Sequence, residues 1–240
     1  MKAFILAAGL GTRLKPITDS KPKALVEING IPLIEHLIKK LISFGFSSII
    51  INIHHFADQI VDFVKSKKSF GIDIQFSDER DLLLDTGGGL KKAQWFFDDI
   101  KPFLIHNVDA LTNINLVEMY NYHLQKNSIA TLAVQKRNSS RYFYFDELAT
   151  LCGWINEKSK EEKIVRESVN ELKKFAFSGI QFVNPSIFEL MPRSDIFSLV
   201  DLYLSIASQH RITYFDHSNS LFIDLGKKEN LTEAEKILSK

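Results

Sequence analysis

Residues 6–16 read Leu6-Ala7-Ala8-Gly9-Leu10-Gly11-Thr12-Arg13-Leu14-Lys15-Pro16, and they continue an apolar run that begins at Lys2. A continuous apolar run predicts a strand buried on both faces of a sheet. The two glycines after it allow a tight turn and a close approach of the backbone to a ligand. Amide N–H groups in such a loop bind phosphate oxygens, and the guanidinium of Arg13 adds a bidentate donor. The stretch therefore predicts a phosphate-binding loop, to which Lys23 adds a second positive charge.

Two widespread phosphate-binding loops do not match this stretch. A dinucleotide-binding fingerprint requires a third glycine at the position of Leu14 and an acidic residue at a fixed offset, and the chain has neither. A P-loop requires Gly-Lys followed by Ser or Thr, which is also absent. The loop therefore predicts phosphate binding of a different kind.

Strand and helix patterns alternate through the first half of the chain. Strand patterns cover residues 47–53, 72–76 and 102–106, and helical patterns cover 32–45, 56–64 and 88–97. This alternation predicts βαβ units, so the fold class is α/β with a mixed, mostly parallel sheet flanked by helices. We expect one domain over residues 1–240, with a less regular, lid-like second half from 111. Ligands should bind where the parallel strands end, after Ala8, Phe76 and His106.

Composition excludes several classes of partner. The chain has 240 residues, with 30 basic and 29 acidic side chains, and this balance argues against nucleic-acid binding. No apolar run approaches the roughly 20 residues of a membrane helix, so no membrane partner is expected. The single cysteine, Cys152, cannot form an intrachain disulfide and fits a reducing, cytoplasmic location.

The first loop resembles the signature of a known family. The segment from Leu6 to Arg13, followed by Pro16, Thr18, Pro22 and Lys23, is similar to the motif of sugar-phosphate nucleotidylyltransferases. The resemblance extends over the chain through five further segments, 30–35, 51–55, 85–89, 177–180 and 223–226. The His54-His55 pair, the triple glycine and the length look most like the N-acetylmuramate-1-phosphate uridylyltransferase branch. Mannose- and heptose-1-phosphate guanylyltransferases share much of the pattern.

The resemblance implies a fold and a reaction. The fold is the Rossmann-like nucleotide-diphospho-sugar transferase type with a small sugar-binding lid. Residues 1–110 would be the nucleotide-binding half, and residues 111–240 would be the sugar-binding half and closing segment. The reaction joins a nucleoside triphosphate, UTP or GTP, to a sugar-1-phosphate and releases pyrophosphate, with Mg²⁺ as cofactor. We expect UTP with N-acetylmuramate-1-phosphate, in cell-wall recycling, and a monomer or a homodimer. The alternatives are a guanylyltransferase and a non-catalytic nucleotide-sugar sensor.

The resemblance also assigns residues to roles. Arg13, Lys23 and Asp109 would be catalytic, and Asp109 and Asp224 would bind the metal. The nucleotide would contact Leu6, Ala8, Gly9, Gly11, Thr12, Arg13, Glu79, Gly87 and Gly88, and the sugar would contact Asn107, Gly153, Ser178 and Gly179. We expect the glycines to form a turn before a helix that begins near Leu90, where a flat base could lie against the backbone. Glu79 is a candidate for reading the edge of the base.

Two departures from the family pattern affect the sugar side. Val108 stands where the family usually has glycine, so either the backbone is ordinary there or the valine narrows the sugar site. The pair Glu157-Lys158 lacks the proline that follows it in the family. The sequence Asn107-Val108-Asp109 also lacks the Asp-x-Asp metal motif of glycosyltransferases that consume nucleotide-sugars, which disfavours that class.

Overall fold

The strand that precedes the first loop lies in the middle of the main sheet of the computed structural model, which describes residues 1–238. This strand, β1 (Lys2–Leu6), pairs in parallel with β4 (Ser48–Ile53) on one side and β6 (Phe103–Asn107) on the other. The residues Ala3, Phe4 and Ile5 are fully buried, as expected for a strand covered on both faces.

The main sheet combines strands from both halves of the chain. β5 (Asp73–Asp78) extends the parallel side beyond β4, and β12 (Lys173–Val183) pairs antiparallel with β6. β12 also pairs with β8 (Ala130–Gln135), which pairs in parallel with β13 (Ile212–Asp216). β12, β9 (Arg141–Phe145), β10 (Leu151–Asn156) and β11 (Glu161–Ile164) continue the sheet as an antiparallel extension. The short strands are β2 (Glu27–Ile28), β3 (Ile31–Pro32), β7 (Ala110–Thr112) and β14 (Phe222–Asp224).

Helices cover both faces of the sheet. They are α1 (Leu33–Ser43), α2 (Ala57–Ser66), α3 (Asp85–Lys92), α4 (Leu116–Lys126), α5 (Leu199–Ile206) and α6 (Lys228–Leu238). α1 buries Ile34, Ile38 and Leu41, whose spacing places them on one face of a helix. The Asn115 side chain accepts from two backbone N–H groups at the start of α4, a standard N-cap.

The structure confirms the predicted fold class and corrects some of its elements. The helix predicted to begin near Leu90 begins at Asp85 and ends at Lys92, so the three glycines lie inside it rather than before it. Glycine is unfavourable inside a helix, which is why the sequence suggested a turn. The strands β7 and β11 and the β2–β3 pair were not predicted, because two to four residues carry too little periodicity. No helix within residues 1–238 is long and apolar enough to cross a membrane.

Candidate active site

Asn52 joins the first loop to the two neighbouring strand ends. Its side-chain oxygen accepts hydrogen bonds from the backbone N–H groups of Ala7 (2.7 Å) and Ala8 (3.2 Å). Its amide nitrogen donates to Glu79 Oε1 at 2.8 Å, and Glu79 Oε2 accepts from the backbone N–H of Leu84 at 3.2 Å. Because Asn52 and Glu79 are both buried, this chain of hydrogen bonds fixes the start of the loop relative to β4, β5 and α3.

The remainder of the loop folds back on itself. Gly11 has a φ of +65°, and a Cβ at this position would lie 2.9 Å from Thr18 Cγ2 and 3.2 Å from Lys23 Cβ. The Thr18 hydroxyl donates to the carbonyl of Gly11 at 2.9 Å. This compact turn needs glycine at residue 11, and it brings Lys23 to the strand ends, where its ammonium group pairs with the carboxylate of Asp109.

Two cavities meet at the carboxyl ends of the parallel strands. The first cavity, of about 460 Å³, lies beside the first loop, and the second cavity, of about 640 Å³, lies among β9, β12 and β14. Asn107 and Asp109 line both cavities. The first cavity is also lined by Leu6, Ala7, Ala8, Gly9, Lys23, Asn52, Glu79, Leu83, Asp85, Thr86, Val108 and Ile196. Two ligands bound in these cavities would therefore meet at Asp109.

Gly9 marks an open part of the first cavity. Apart from Gly9 itself and its two chain neighbours, no atom of residues 1–238 would lie within 4 Å of a Cβ at Gly9. The backbone here is not crowded by the protein itself, so the space beside it is free for a ligand. The other predicted contacts of the loop are Gly11, Thr12 and Arg13. Within residues 1–238 none of the three lines the first cavity, and Arg13 lines the second cavity. Their contribution to nucleotide binding stays a prediction.

The carboxylates of Asp109 and Asp224 converge on one point. A Cβ built at Gly226 would lie 2.9 Å from Asp109 Oδ2, 2.8 Å from Asp224 Oδ1 and 2.5 Å from Arg13 Nη2. The absence of a side chain at Gly226 thus leaves room between two carboxylates. Mg²⁺ typically takes one or two carboxylates and completes its shell with phosphate oxygens and water. Asp109 and Asp224 fit that requirement, and Arg13 Nη1 lies 3.5 Å from Asp224 Oδ2.

The glycines of α3 face the protein itself. A Cβ at Gly87 would lie 2.4 Å from the ring of Phe197, and one at Gly88 would lie 2.0 Å from the carbonyl oxygen of Asp195. Both glycines are buried, and in the described chain neither lines the first cavity, whereas Asp85 and Thr86 do. Packing against residues 195–197 therefore accounts for both glycines, and their contact with a base stays a prediction.

Glu79 lies at the wall of the first cavity but is completely buried. Both of its carboxylate oxygens accept hydrogen bonds from the protein, and burial raises its pKa. This placement makes Glu79 a support for Asn52 and Leu84. Direct reading of a base edge by Glu79 remains a prediction.

Three of the four predicted sugar contacts line the second cavity. They are Asn107, Ser178 and Gly179. Gly179, on β12, has a φ of +71°, and a Cβ there would lie 2.4 Å from Asn107 Nδ2. The glycine therefore leaves room for the Asn107 side chain beside β12. The Ser178 hydroxyl lies 2.9 Å from His217 Nε2.

The fourth predicted sugar contact, Gly153, lies elsewhere. Within the described residues 1–238, Gly153 lines neither the first nor the second cavity. It sits at a register shift between β9 and β10, where a Cβ would lie 2.5 Å from the carbonyl oxygen of Lys163. The structure therefore does not bring Gly153 together with the other predicted sugar residues, and close packing of β11 explains the glycine.

Val108 is buried, lines the first cavity, and within residues 1–238 is not among those with positive φ. Of the two expectations for this position, the ordinary backbone is therefore the one observed. Val108 packs in the same core cluster as Leu225, and these two residues are the chain neighbours of Asp109 and Asp224.

Asn52 and Arg137 are among the residues of the site that were not predicted to be functional. Asn52 carried one signal, since it is a polar residue within the isoleucine-rich strand β4. Arg137 carried none, because it follows a strand in an irregular loop. Its guanidinium donates to the carbonyl of Phe177 at 2.8 Å and lies 4.8 Å from the ring centre of Phe222, on the wall of the second cavity. Burial lowers its pKa.

A family model described as nucleotidyl transferase matches residues 2–240. The chain belongs to the nucleotidyl transferase family. This membership confirms the resemblance to sugar-phosphate nucleotidyltransferases that the first loop carries.

Known relatives of this nucleotidyl transferase span its whole length. It is 30% identical to the UTP–glucose-1-phosphate uridylyltransferase of Synechocystis over 98% of the chain, and it covers 62% of that protein. It is 29% identical to the N-acetylmuramate alpha-1-phosphate uridylyltransferase of Neisseria meningitidis, over 98% of this chain and 97% of that one. The chain thus spans about three-fifths of the Synechocystis protein and nearly all of the Neisseria protein.

A solved structure shows the same fold. The HddC protein of Yersinia pseudotuberculosis, complexed with GMP-PN, superimposes on this nucleotidyl transferase with a TM-score of 0.80 at 24% sequence identity. The superposition covers 99% of each chain. It supports the nucleotide-diphospho-sugar transferase fold predicted from the sequence.

Proposed function

We propose that this protein transfers a nucleotidyl group from a nucleoside triphosphate to a sugar-1-phosphate, giving a nucleotide-sugar and pyrophosphate. The observation that carries the proposal is the meeting of two cavities at Asp109. The first cavity would hold the triphosphate beside the first loop, and the second would hold the sugar phosphate. Such a shared wall is what a transfer between two bound ligands requires, because the reacting atoms must be held in contact.

The chemistry needs positioning and neutralisation of charge. A phosphate oxygen of the sugar-1-phosphate attacks the α-phosphorus, and the bond from that phosphorus to the bridging oxygen breaks, so that pyrophosphate leaves. Lys23 would bind the α-phosphate and the incoming sugar phosphate, and Arg13 would hold the departing phosphates. Mg²⁺ between Asp109 and Asp224 would neutralise phosphate charge. The pairs Lys23–Asp109 and Arg13–Asp224 already hold these side chains at the strand ends.

The substrate pair we favour is UTP with N-acetylmuramate-1-phosphate. Its support is the similarity to the Neisseria protein, which extends over nearly the full length of both chains. That choice would place the protein in cytoplasmic recycling of cell-wall sugars. The site residues Arg13, Lys23, Asp109 and Asp224 are all present, which supports catalysis rather than sensing.

The test is release of pyrophosphate in the presence of Mg²⁺, with UTP, GTP, CTP and dTTP each paired with a panel of sugar-1-phosphates. We expect release with UTP and N-acetylmuramate-1-phosphate. Release with GTP and mannose- or heptose-1-phosphate would keep the reaction and replace the substrates. Binding of nucleotide without release in any pairing would identify a sensor and overturn the proposal.

A further inference from the structure

The segment from Pro192 to Phe197 is held against α3 by one lysine. The Lys91 ammonium group donates to the backbone carbonyls of Pro192 (3.2 Å), Arg193 (3.0 Å) and Ser194 (3.1 Å). It also lies 3.0 Å from the carboxylate of Asp195. Four oxygens from consecutive residues thus surround one ammonium group, although the segment itself is exposed and lies outside the helices and strands.

A second set of contacts fixes the other end of the segment. The carbonyl of Phe197 accepts from the backbone N–H groups of Gly87 (2.9 Å) and Gly88 (3.2 Å). The backbone N–H of Leu199 donates to the hydroxyl of Thr86 at 2.9 Å. Both sets of partners belong to α3, so the segment is attached to this helix on either side of residue 196.

Ile196 lies between the two sets of contacts. It lines the first cavity together with Leu83, yet 52% of its surface is exposed. A half-exposed isoleucine on a cavity wall contributes little to the core, but it would be covered by an apolar ligand group. Covering apolar surface contributes about 25 cal/mol per Å².

We infer that Ile196 contacts the nucleobase of the bound triphosphate and that Lys91 is the positioning residue that holds it there. The inference rests on the proposed function. The triphosphate is polar at its phosphates, which Lys23 and Arg13 would bind, and the base is its flat, weakly polar part. Among the residues described, Ile196 lines the first cavity and not the second, so the contact is with the nucleotide rather than with the sugar.

This arrangement assigns a purpose to the glycines of α3. The segment can approach only because Gly87 and Gly88 have no side chains, since a Cβ at Gly88 would lie 2.0 Å from the carbonyl of Asp195. The N–H groups of both glycines are used by Phe197. They would therefore act on the base through Ile196 rather than by direct hydrogen bonds.

The test of the positioning role is proteolysis of the whole protein by trypsin, followed at the exposed Arg193–Ser194 bond by mass spectrometry. Lys91→Met should be cut at this bond about tenfold faster than wild type, because the segment opens more often once its four contacts are lost. Lys65→Met, an exposed lysine on α2, is the matched control. Equal rates in the two variants would overturn the role of Lys91.

The test of the base contact is kinetic and calorimetric. Ile196→Ala should raise the KM for the nucleoside triphosphate about tenfold, with kcat and the KM for the sugar phosphate within about twofold of wild type. Lys91→Met should also raise the KM for the nucleoside triphosphate, and Lys65→Met should leave all three kinetic constants unchanged. An unchanged KM in Ile196→Ala would overturn the contact.

Failure of the proposed function can be told apart from failure of this inference. If wild type releases no pyrophosphate with any pair, isothermal titration with UTP and with GTP still measures nucleotide binding. Weaker binding by Ile196→Ala would then support the contact in a protein without transferase activity. Equal binding by wild type and Ile196→Ala would overturn it.

Discussion

The side-chain oxygen of Asn52 lies 2.7 Å from the backbone nitrogen of Ala7 and accepts its hydrogen bond. This contact is the point at which the central strand β1 turns into the first loop. Backbone N–H groups that end a buried strand have no strand partner, and leaving them unpaired in the interior is costly. Asn52 supplies the missing acceptor, and its own side-chain amide donates a hydrogen bond to Glu79.

Asn52→Ala should therefore affect both stability and binding. The variant leaves two N–H groups and one carboxylate oxygen without partners, so we expect a loss of about 2 kcal/mol in the free energy of unfolding. We also expect a higher KM for the nucleotide, since the loop loses its fixed starting point. Urea denaturation and steady-state kinetics measure the two effects.

Ser77→Ala is the matched control for this variant. Ser77 is buried on β5 directly beside Asn52 in the sheet, and its hydroxyl has no hydrogen-bond partner within residues 1–238. Removal of an unpaired hydroxyl should leave stability the same or slightly higher. If Ser77→Ala lowered the free energy of unfolding as much as Asn52→Ala, any substitution in these two strands would be destabilising. The proposed role of the Asn52 hydrogen bonds would then be wrong.

Asp109→Ala should abolish turnover while the protein stays folded. The side chain is one of the two carboxylates at the proposed metal site, so its loss would remove the cation that neutralises phosphate charge in the transition state. Circular dichroism should match that of wild type. Asp62→Ala, which removes an exposed carboxylate on α2, should leave turnover unchanged. An unfolded Asp109→Ala protein would assign Asp109 a structural role instead.

Gly226→Ala should weaken the response to Mg²⁺. The added methyl group would lie within 3 Å of oxygens from both Asp109 and Asp224, so it would occupy the space between them. We expect the Mg²⁺ concentration for half-maximal activity to rise at least about tenfold. A magnesium titration of pyrophosphate release measures the shift. An unchanged titration curve would place the metal elsewhere.

Acid should destabilise the protein through its buried histidines. Burial lowers the pKa of His123 and His217 to about 4 and that of His106 to about 3. A histidine in the unfolded chain titrates near 6.5, so between this pH and the folded pKa the unfolded state binds more protons. Stability is therefore lost as the pH falls through that window, by about 2 kcal/mol per histidine between pH 7 and pH 5.

His123→Gln tests this pH dependence away from the active site. His123 lies on α4, and its Nδ1 is 2.8 Å from the hydroxyl of Thr131. The difference in unfolding free energy between pH 7 and pH 5 should be smaller in this variant by about 2 kcal/mol. His55→Gln, at an exposed position, should keep the wild-type difference. The same pH dependence in both variants would contradict the assignment to His123.

The first half of the fold and the first loop were predictable because each rests on a local pattern. The apolar run into β1 and the alternation of strands and helices are read from neighbouring residues. The glycines of α3 were misplaced for the same reason, since helix propensity alone favours a turn at three consecutive glycines. What overrides that propensity is the packing of Asp195 and Phe197, which are more than 100 residues away. Tertiary contacts of this kind leave no local signal.

In the candidate site too, residues with a local sequence signal were predicted, and residues placed by distant contacts were not. Lys23, Asp109 and Asp224 were proposed from motifs, and the structure brings them to one end of the sheet. Arg137 and Ile196 were not proposed, because each lies in an irregular segment whose position depends on contacts with distant residues. Gly153 matched a motif position and lies elsewhere, since a glycine at a register shift and a glycine at a ligand site look alike in sequence.

The donation from Gly87 and Gly88 to Phe197 has a consequence for engineering new specificity by recombination. Residues 1–110 contain the first loop, but Ile196 and Asp224 come from the other half of the chain. A chimera joined at residue 110 to a relative with a different sugar preference would import a foreign wall for the nucleotide as well. Parents for such an exchange should be matched at residues 192–197 and at the glycines of α3, or the hybrid would change both substrates at once.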